Sequence, residues 1–564
     1  MNNEIFNKKV GAIWNKLLER DLEKVFSDFS GVCGRYAAFI SVCDIEQRAY
    51  VFRASGDTPK AAWENVRAEA AQFVYSEDVE PLWVKADITA KGEKKSFEEL
   101  ISMISGCYNE FFRRGIAFDD KLDLSFIEAE LNGSGLIDYK NKTIELTEIN
   151  NYLAECDVKP LDRLPDEVIL FDCVSVFCDE KFNVYELYSD GLNCGRRVIP
   201  VFDKERAMRV IATSSDYLSM QIGLDGKFDY GFYPIFHKEI PGYNMVRHAS
   251  SVWSLLCSYR LTKDKFALQQ AESAINYMIT NTAYKYPNRK TKENTVYLFE
   301  STRNEVKLGG NAMAIIVLTE YMDVVNSDRY KRLAIELGNG ILELFDERDG
   351  SFFHVLRFPT LAPRDKFRTV YYDGEAVFAL CRLYGLTKKK CFLDVARLAA
   401  DRFIKKGYTQ YADHWVAYSL NELTKYIPDE KYFDFALRNV GDNLQKIYDQ
   451  ATTYHTYLEL LCVSFELYTR VVEEKPEYLE KLPYLKEFDE KFFLKTIFHR
   501  AQHMMNGYGY PEYVMYLKYP GSALGAFFVR HDDFRIRIDD VQHFCSAYFL
   551  FYKNYDKLKE YLDK

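Results

Sequence analysis

PGYNMVRHASSVWSLL, residues 241–256, decides how the larger part of this chain is read. From Ala249 onward it is an apolar helix with no wet stripe, the pattern of a helix buried on every side. Its opening turns nonetheless carry Asn244, Arg247 and His248. A buried helix that begins on an arginine and a histidine must begin beside a cavity.

Five later segments repeat the pattern: NAMAIIVLTEYM, EAVFALCRLYG, WVAYSLNELTKY, YLELLCVSFELY and VQHFCSAYFLFY. Between them lie helices charged along one face, such as KDKFALQQAESAINYMI and KKKCFLDVARLAADRFI. The periodicity predicts twelve helices, at about 203–222, 243–261, 263–282, 307–324, 327–346, 370–386, 389–406, 410–426, 430–448, 453–471, 479–503 and 536–553. Wet and dry helices alternating six times form an internal repeat of helical hairpins. An open solenoid is one solution. A closed ring of six inner and six outer helices is the other, and twelve is the number that closes it. In hairpin count and alternation, residues 203–564 resemble the (α/α)6 toroids of the six-hairpin glycosidase-like superfamily. That resemblance implies a range of activities: glycoside hydrolases, unsaturated-uronyl hydrolases and, in related toroids, sugar epimerases and polysaccharide lyases.

Residues 1–200 follow a different grammar. RYAAFISV, RAYVFRASG, PLWVKADIT, EVILFDCVSVFCDE and FNVYELYS read as strands. TPKAAWENVRAEAAQFV reads as a helix capped by Thr58 with Pro59 at its first position. SFEELISMISGCYNEFFRRGIAF reads as a helix opened by a Ser96/Glu99 capping box. The fold expected is therefore an α+β N-terminal domain, 1–200, followed by an all-α (α/α)6 toroid of six helical hairpins, 203–564. The α+β part contains no phosphate loop and no G-x-G-x-x-G.

Composition narrows the function. Net charge is −10, which argues against non-specific binding to nucleic acid or to an anionic membrane. No apolar run approaches the length of a membrane span, and the first residues do not form a secretory signal. The twelve cysteines contain no C-x-x-C pair and read as reduced thiols, consistent with the cytoplasm. Aromatic residues reach 16%, enough for a thick core or for a cleft that stacks on sugar rings.

The starts of the six dry helices collect the polar residues: Asn244, Arg247 and His248; Lys307 and Asn311; Tyr372, Asp373 and Glu375; Asp413 and His414; Tyr454, His455 and Glu459; Arg537, Asp539, Gln542 and His543. In a toroid the inner helices run parallel, so these ends meet at one mouth. Capping is the competing explanation for Asp373 and Asp413. Two loops, Asp225–Asn244 and the segment 504–534, are expected to run over the mouth, the second as a lid.

This arrangement predicts a carbohydrate-active enzyme acting on an oligosaccharide or a sugar-linked precursor, anionic if the helix ends and arginines make the mouth positive. Glycoside hydrolysis by paired carboxylates, Glu375 with Asp413 or Asp539, is the reading favoured. Proton transfer at carbon by His248 and His543, with Tyr243 as an alternative acid, would make an epimerase or lyase. Asn244, Arg247, Tyr243, Tyr233, Asn311, Tyr372, His414, His455 and Arg537 are the expected substrate contacts. Zinc-dependent toroids, such as lanthionine cyclases and prenyltransferases, bring Cys and His ligands together. Only Cys545 lies near these ends, so no zinc site of that type and no cofactor are expected; a metal held by His and Asp is left open, with no support from spacing. A non-catalytic binding or scaffold protein is the reading from another class.

Overall fold

The computed structural model describes residues 1–20, 32–107, 110–287 and 293–563. They pack as two compact units, one of Met1–Pro200, Phe232–Glu239 and Asn506–Ile536, the other of Val201–Gly231, Ile240–Met505 and Arg537–Lys564.

The first unit is built on a seven-stranded sheet in the order Tyr50–Gly56, Tyr36–Cys43, Trp83–Ser96, Glu167–Cys178, Gly115–Ala117, Ser125–Phe126, with Val184–Glu186 also paired to Glu167–Cys178. Every pairing is antiparallel. Helices Asn2–Leu18 and Pro59–Ser76 bury Phe6, Val10, Trp63 and Val66 against Ile40, Val84 and Val176. The helix starts follow the sequence: Thr58 accepts from the Ala61 amide at 3.1 Å, and Ser96 and Glu99 close a capping box. The helix expected over 96–118 stops at Gly106 and gives way to the strand Gly115–Ala117; residues 108 and 109 of that segment lie outside the described residues.

The segment 504–534, expected as a lid, packs from Asn506 onward within this first unit. Glu512 takes Arg197 at 2.8 Å, Arg530 pairs with Glu128 at 2.5 Å, and Tyr516 shares a 2.8 Å hydrogen bond with Ser41. Glu512 and Tyr516 are fully buried. Polar anchors of this kind tie the segment into a core.

In the second unit six helices are buried over most of their length: Met245–Thr262, Leu308–Val325, Tyr371–Thr387, His414–Leu423, Thr456–Glu474 and Ile538–Leu562. Each packs on the next, and the sixth packs on the first, so their packing order is cyclic. We call them the first to sixth inner helices. Six more, Lys204–Met220, Lys265–Thr282, Lys331–Leu344, Lys390–Lys406, Glu430–Gly441 and Glu490–His503, lie against them from outside. The second inner helix is long and apolar enough to match a membrane span, and 83% of it is buried in this unit.

Neighbouring inner helices are held together in two different ways. Glycine allows close approach where a side chain would collide: a Cβ on Gly374 of the third helix would lie 2.7 Å from the Trp415 backbone of the fourth. The contact between the first and sixth helices is a seam of hydroxyls. Ser251 and Ser254 donate to the carbonyls of Ile538 and Gln542 at 3.3 and 3.4 Å, and Ser258 meets the Cys545 sulfur at 3.2 Å. A five-stranded sheet (Ala283–Pro287, Asn294–Glu300, Glu305–Lys307, Val355–Arg357, Ala362–Asp365) is inserted between the helices. Sequence periodicity missed it because its strands are only three to seven residues long.

Candidate active site

The starts of the inner helices do meet. Arg247 of the first reaches Asp539 of the sixth at 2.9 Å. A Cβ on Gly309 of the second would lie 2.4 Å from Glu375 of the third. His543 of the sixth bonds Glu459 of the fifth at 2.6 Å and stands 5.2 Å, ring to ring, from His414 of the fourth. Deeper in the ring Trp253, Phe378, Trp415 and Tyr418 pack on one another, with Trp253 5.7 Å from Trp415 and 5.5 Å from Tyr418. The ring is therefore filled below its mouth.

In the sector formed by the first, second and sixth helices most polar side chains are engaged within the protein, although the buried Gln542 Oε1 has no partner among the described residues. Asn244 caps its helix, accepting from the Val246 amide at 2.9 Å. His248, expected as an acid or base, is fully buried, with Nδ1 on the Tyr243 hydroxyl at 2.7 Å and Nε2 on the Ala274 carbonyl at 2.9 Å. Burial lowers its pKa to about 4, so it stays neutral. Tyr243 also accepts from the Phe228 amide at 3.1 Å, so its hydroxyl is engaged on two sides within the protein. Asn311, an expected contact, clamps the strand behind it through Leu298 and the Lys307 carbonyl at 2.8 Å each. Lys307 pairs with Glu300. Asp539, an expected acid or base, is held by two guanidinium groups, Arg247 and Arg537. Arg247 also donates to the Tyr230 hydroxyl at 2.5 Å. The positive charge expected to attract an anionic sugar is thus met by the protein's own carboxylate. Tyr233 lies in the first unit, on the strand Gly231–Tyr233 paired with Lys238–Glu239.

The third and fourth helices contribute two buried acids. Glu375 is 3% exposed, and its Oε2 has no hydrogen-bond partner among the described residues. Burial, with Asp413 nearby, raises its pKa to about 8, so it keeps its proton at neutral pH. Asp413 is the N-cap that the capping explanation anticipated, with Oδ1 accepting from the Trp415 amide at 3.0 Å. Its other oxygen is buried and likewise unpartnered, and burial raises its pKa against the pull of those amides. Tyr372 is buried, with its ring 5.5 Å from His354.

The fourth, fifth and sixth helices form a second sector, the candidate reactive one. His414 is 2% exposed, with Nδ1 3.3 Å from Asp413 Oδ1 and Nε2 without a partner among the described residues. Burial lowers its pKa to about 3. His543 opposes it. Burial works against its charge, but the Glu459 carboxylate, with Asp539 and Asp540 behind it, outweighs burial and raises its pKa. Glu459 is fully buried, and its second oxygen accepts from the Tyr418 hydroxyl at 2.8 Å. His455 lies flat on His543, centroids 4.7 Å apart, with Nδ1 unpartnered and its own pKa lowered by burial. Tyr371 and Tyr454 border this group and are 38% and 42% exposed; Tyr371 meets His414 edge-on at 5.7 Å. Glu459 is the residue that sequence reading noted but did not select. Its signal was the i, i+4 spacing from His455, which puts both on one helix face. His414, Glu459 and His543 also bring one ligand atom each within 4.8 Å of one another, a grouping able to hold a metal ion.

No family model and no curated protein matches the chain in sequence. Among solved structures, a D-mannose isomerase is similar over 63% of this chain and 99% of its own, at 12% identity and a TM-score of 0.46. A cellobiose 2-epimerase from Spirochaeta thermophila covers 63% and 98%, at 11% identity and 0.46. An unsaturated glucuronyl hydrolase specific for heparin covers 63% and 98%, at 11% and 0.42. These neighbours belong to the six-hairpin glycosidase-like toroid superfamily. The cyclic packing of the inner helices rests on this chain's own contacts.

Proposed function

We propose that the second unit is an (α/α)6 toroid acting on a carbohydrate, and that it moves a proton at a sugar carbon, as an epimerase or isomerase. One observation carries this reading: a buried imidazole nitrogen with no partner among the described residues, His414 Nε2, beside a second imidazole, His543, fixed by a buried carboxylate. Two histidines whose environments push their proton affinities in opposite directions make an acid and a base. Neutral His414 takes the proton from the carbon next to the carbonyl of the ring-opened sugar. His543 returns one, to the opposite face in epimerisation or to the neighbouring carbon in aldose–ketose exchange. Tyr371 and Tyr454 offer exposed rings on which a sugar can lie.

Glycoside hydrolysis is supported by a separate observation, the protonated Glu375 beside Asp413. Both carboxyl groups lie at 3% exposure or less, and so does His414, but its partner His543 keeps 15% of its side chain open, and the neighbouring His455 keeps 21%. The histidine reading is therefore preferred. Proton NMR of the protein with a panel of aldoses, ketoses and disaccharides in D2O tests it. Loss of the signal of the carbon-bound proton beside the carbonyl is the result expected. New reducing-end anomeric signals would establish hydrolysis instead, and vinyl signals a lyase.

A further inference from the structure

Two imidazole nitrogens in the reactive sector, His414 Nε2 and His455 Nδ1, are buried without partners among the described residues. A buried polar atom left open in a folded core calls for an occupant. His414 is the more informative. Its Nδ1 lies 3.3 Å from the Asp413 carboxyl, its Nε2 is open, and one of its nitrogens falls within the group formed with Glu459 and His543. A histidine with a carboxyl group close to one nitrogen and the other nitrogen open is a starting arrangement from which a metal ligand with outer-sphere support can form. Glu459 is supported in the same way, by the Tyr418 hydroxyl at 2.8 Å.

We infer that His414, Glu459 and His543 form a site for a divalent transition ion of the zinc class, and that this ion silences the histidine pair when it binds. Two imidazoles and one carboxylate are borderline donors suited to Zn2+, and three protein ligands leave a fourth position for water. The ion would displace the proton of the hydrogen bond between His543 Nδ1 and Glu459 Oε1, 2.6 Å apart, and that proton would leave to solvent. Modest side-chain shifts suffice to draw atoms within 4.8 Å onto one centre. The inhibitory half of the inference rests on the proposed proton transfer. The binding half does not.

The test uses the full chain, freed of metal by a chelator and then titrated with ZnCl2 and CoCl2 in the absence of any sugar. Expected results are about one Zn2+ per chain in calorimetry, visible d–d bands of a tetrahedral cobalt site, and an X-ray absorption spectrum of the zinc form with nitrogen and oxygen neighbours only. His414→Gln should weaken binding by at least about 100-fold, more than the loss of an outer-sphere partner, and His237→Ala, at an exposed histidine of the first unit, should not. Sulfur in the zinc shell would assign binding to the free cysteines and overturn the inference, as would the absence of saturable binding. Both spectra use the unmutated chain, so a variant that fails to fold does not decide the matter. Sugar turnover unaffected by one equivalent of bound Zn2+ would overturn the inhibitory half alone. Zinc binding by a chain that turns over no sugar would count against the proposed function and leave the site standing.

Discussion

His248 and His543 begin as equals in the sequence: each stands in the opening turns of a buried inner helix, among polar neighbours. In the structure they belong to different sectors of one mouth. His248 has a hydroxyl on one nitrogen and a carbonyl on the other, and its tendency to take a proton is suppressed. His543 has a carboxylate on one nitrogen, and its tendency is enhanced. The same contrast separates Asn311, fully engaged with a strand, from His414, which has a buried nitrogen unpartnered among the described residues. Position at a helix start brings a polar residue to the mouth. Unused valence distinguishes a residue that can act from one that holds the wall.

The largest effect expected from this contrast is on turnover. Replacing His414 or His543 by alanine should lower proton exchange into the sugar, per folded molecule, by about 10²- to 10⁴-fold, the span of a lost general acid or base, and His543→Ala should also lower stability by leaving the buried Glu459 without its partner. His248→Ala should do the reverse, keeping exchange per folded molecule while destabilising the chain by about 1–3 kcal/mol through the groups it orphans. Urea titration beside the D2O assay reads both. If His248→Ala abolishes exchange in folded protein, the division into sectors fails.

Much of this architecture is legible in the sequence. All six dry segments became inner helices because a helix apolar all round has only one kind of place to go. The convergence of their starts followed from the parallel course of the ring. What the sequence did not separate was wall from site. Nothing in PGYNMVRH shows that Tyr243 and Ala274 would satisfy both nitrogens of His248, because Ala274 belongs to the next helix. Asp539 read as a free acid because Arg247 lies nearly three hundred residues away. Glu459 was visible one turn from His455, but its importance depends on Tyr418 and His543, which come from two other helices.

A smaller effect should sharpen the reactive sector. Glu459→Gln keeps the shape and removes the charge that favours the imidazolium form of His543. The pH at which His543 titrates, followed by its NMR shift, should fall, and turnover should fall with it. A shift that does not move would mean that Asp539 and Asp540 are sufficient. Gly374→Ala tests the wall between the third and fourth helices. A methyl group 2.7 Å from the Trp415 backbone should cost about 1–3 kcal/mol of stability, measured by chemical denaturation.

The pH dependence of stability sharpens the comparison further, because His248 and Glu375 give opposite signs. His248 titrates near 4 when folded and near 6.5 when unfolded, so its contribution is complete above pH 6.5 and is lost as pH falls toward 4. Glu375 titrates near 8 when folded and near 4.5 when unfolded, so its contribution is complete below pH 4.5 and is lost as pH rises toward 8. Denaturation curves of Glu375→Gln should lack the decline on the alkaline side and keep the decline on the acid side. Retention of the alkaline decline would show that another group produces it.

The hydroxyl seam between the first and sixth inner helices has a consequence for biosynthesis. The first helix ends at Thr262 and its closing partner begins at Ile538, so roughly 280 residues are made between them, and at ribosomal speeds the gap lasts on the order of tens of seconds. Throughout that interval one flank of a nascent, largely greasy rod faces water. That flank carries Ser251, Ser254 and Ser258, side chains that water can wet and that a late-arriving helix can later strip dry without losing a hydrogen bond. The part of the ring that waits longest for its neighbour is thus the part least prone to stick to a stranger.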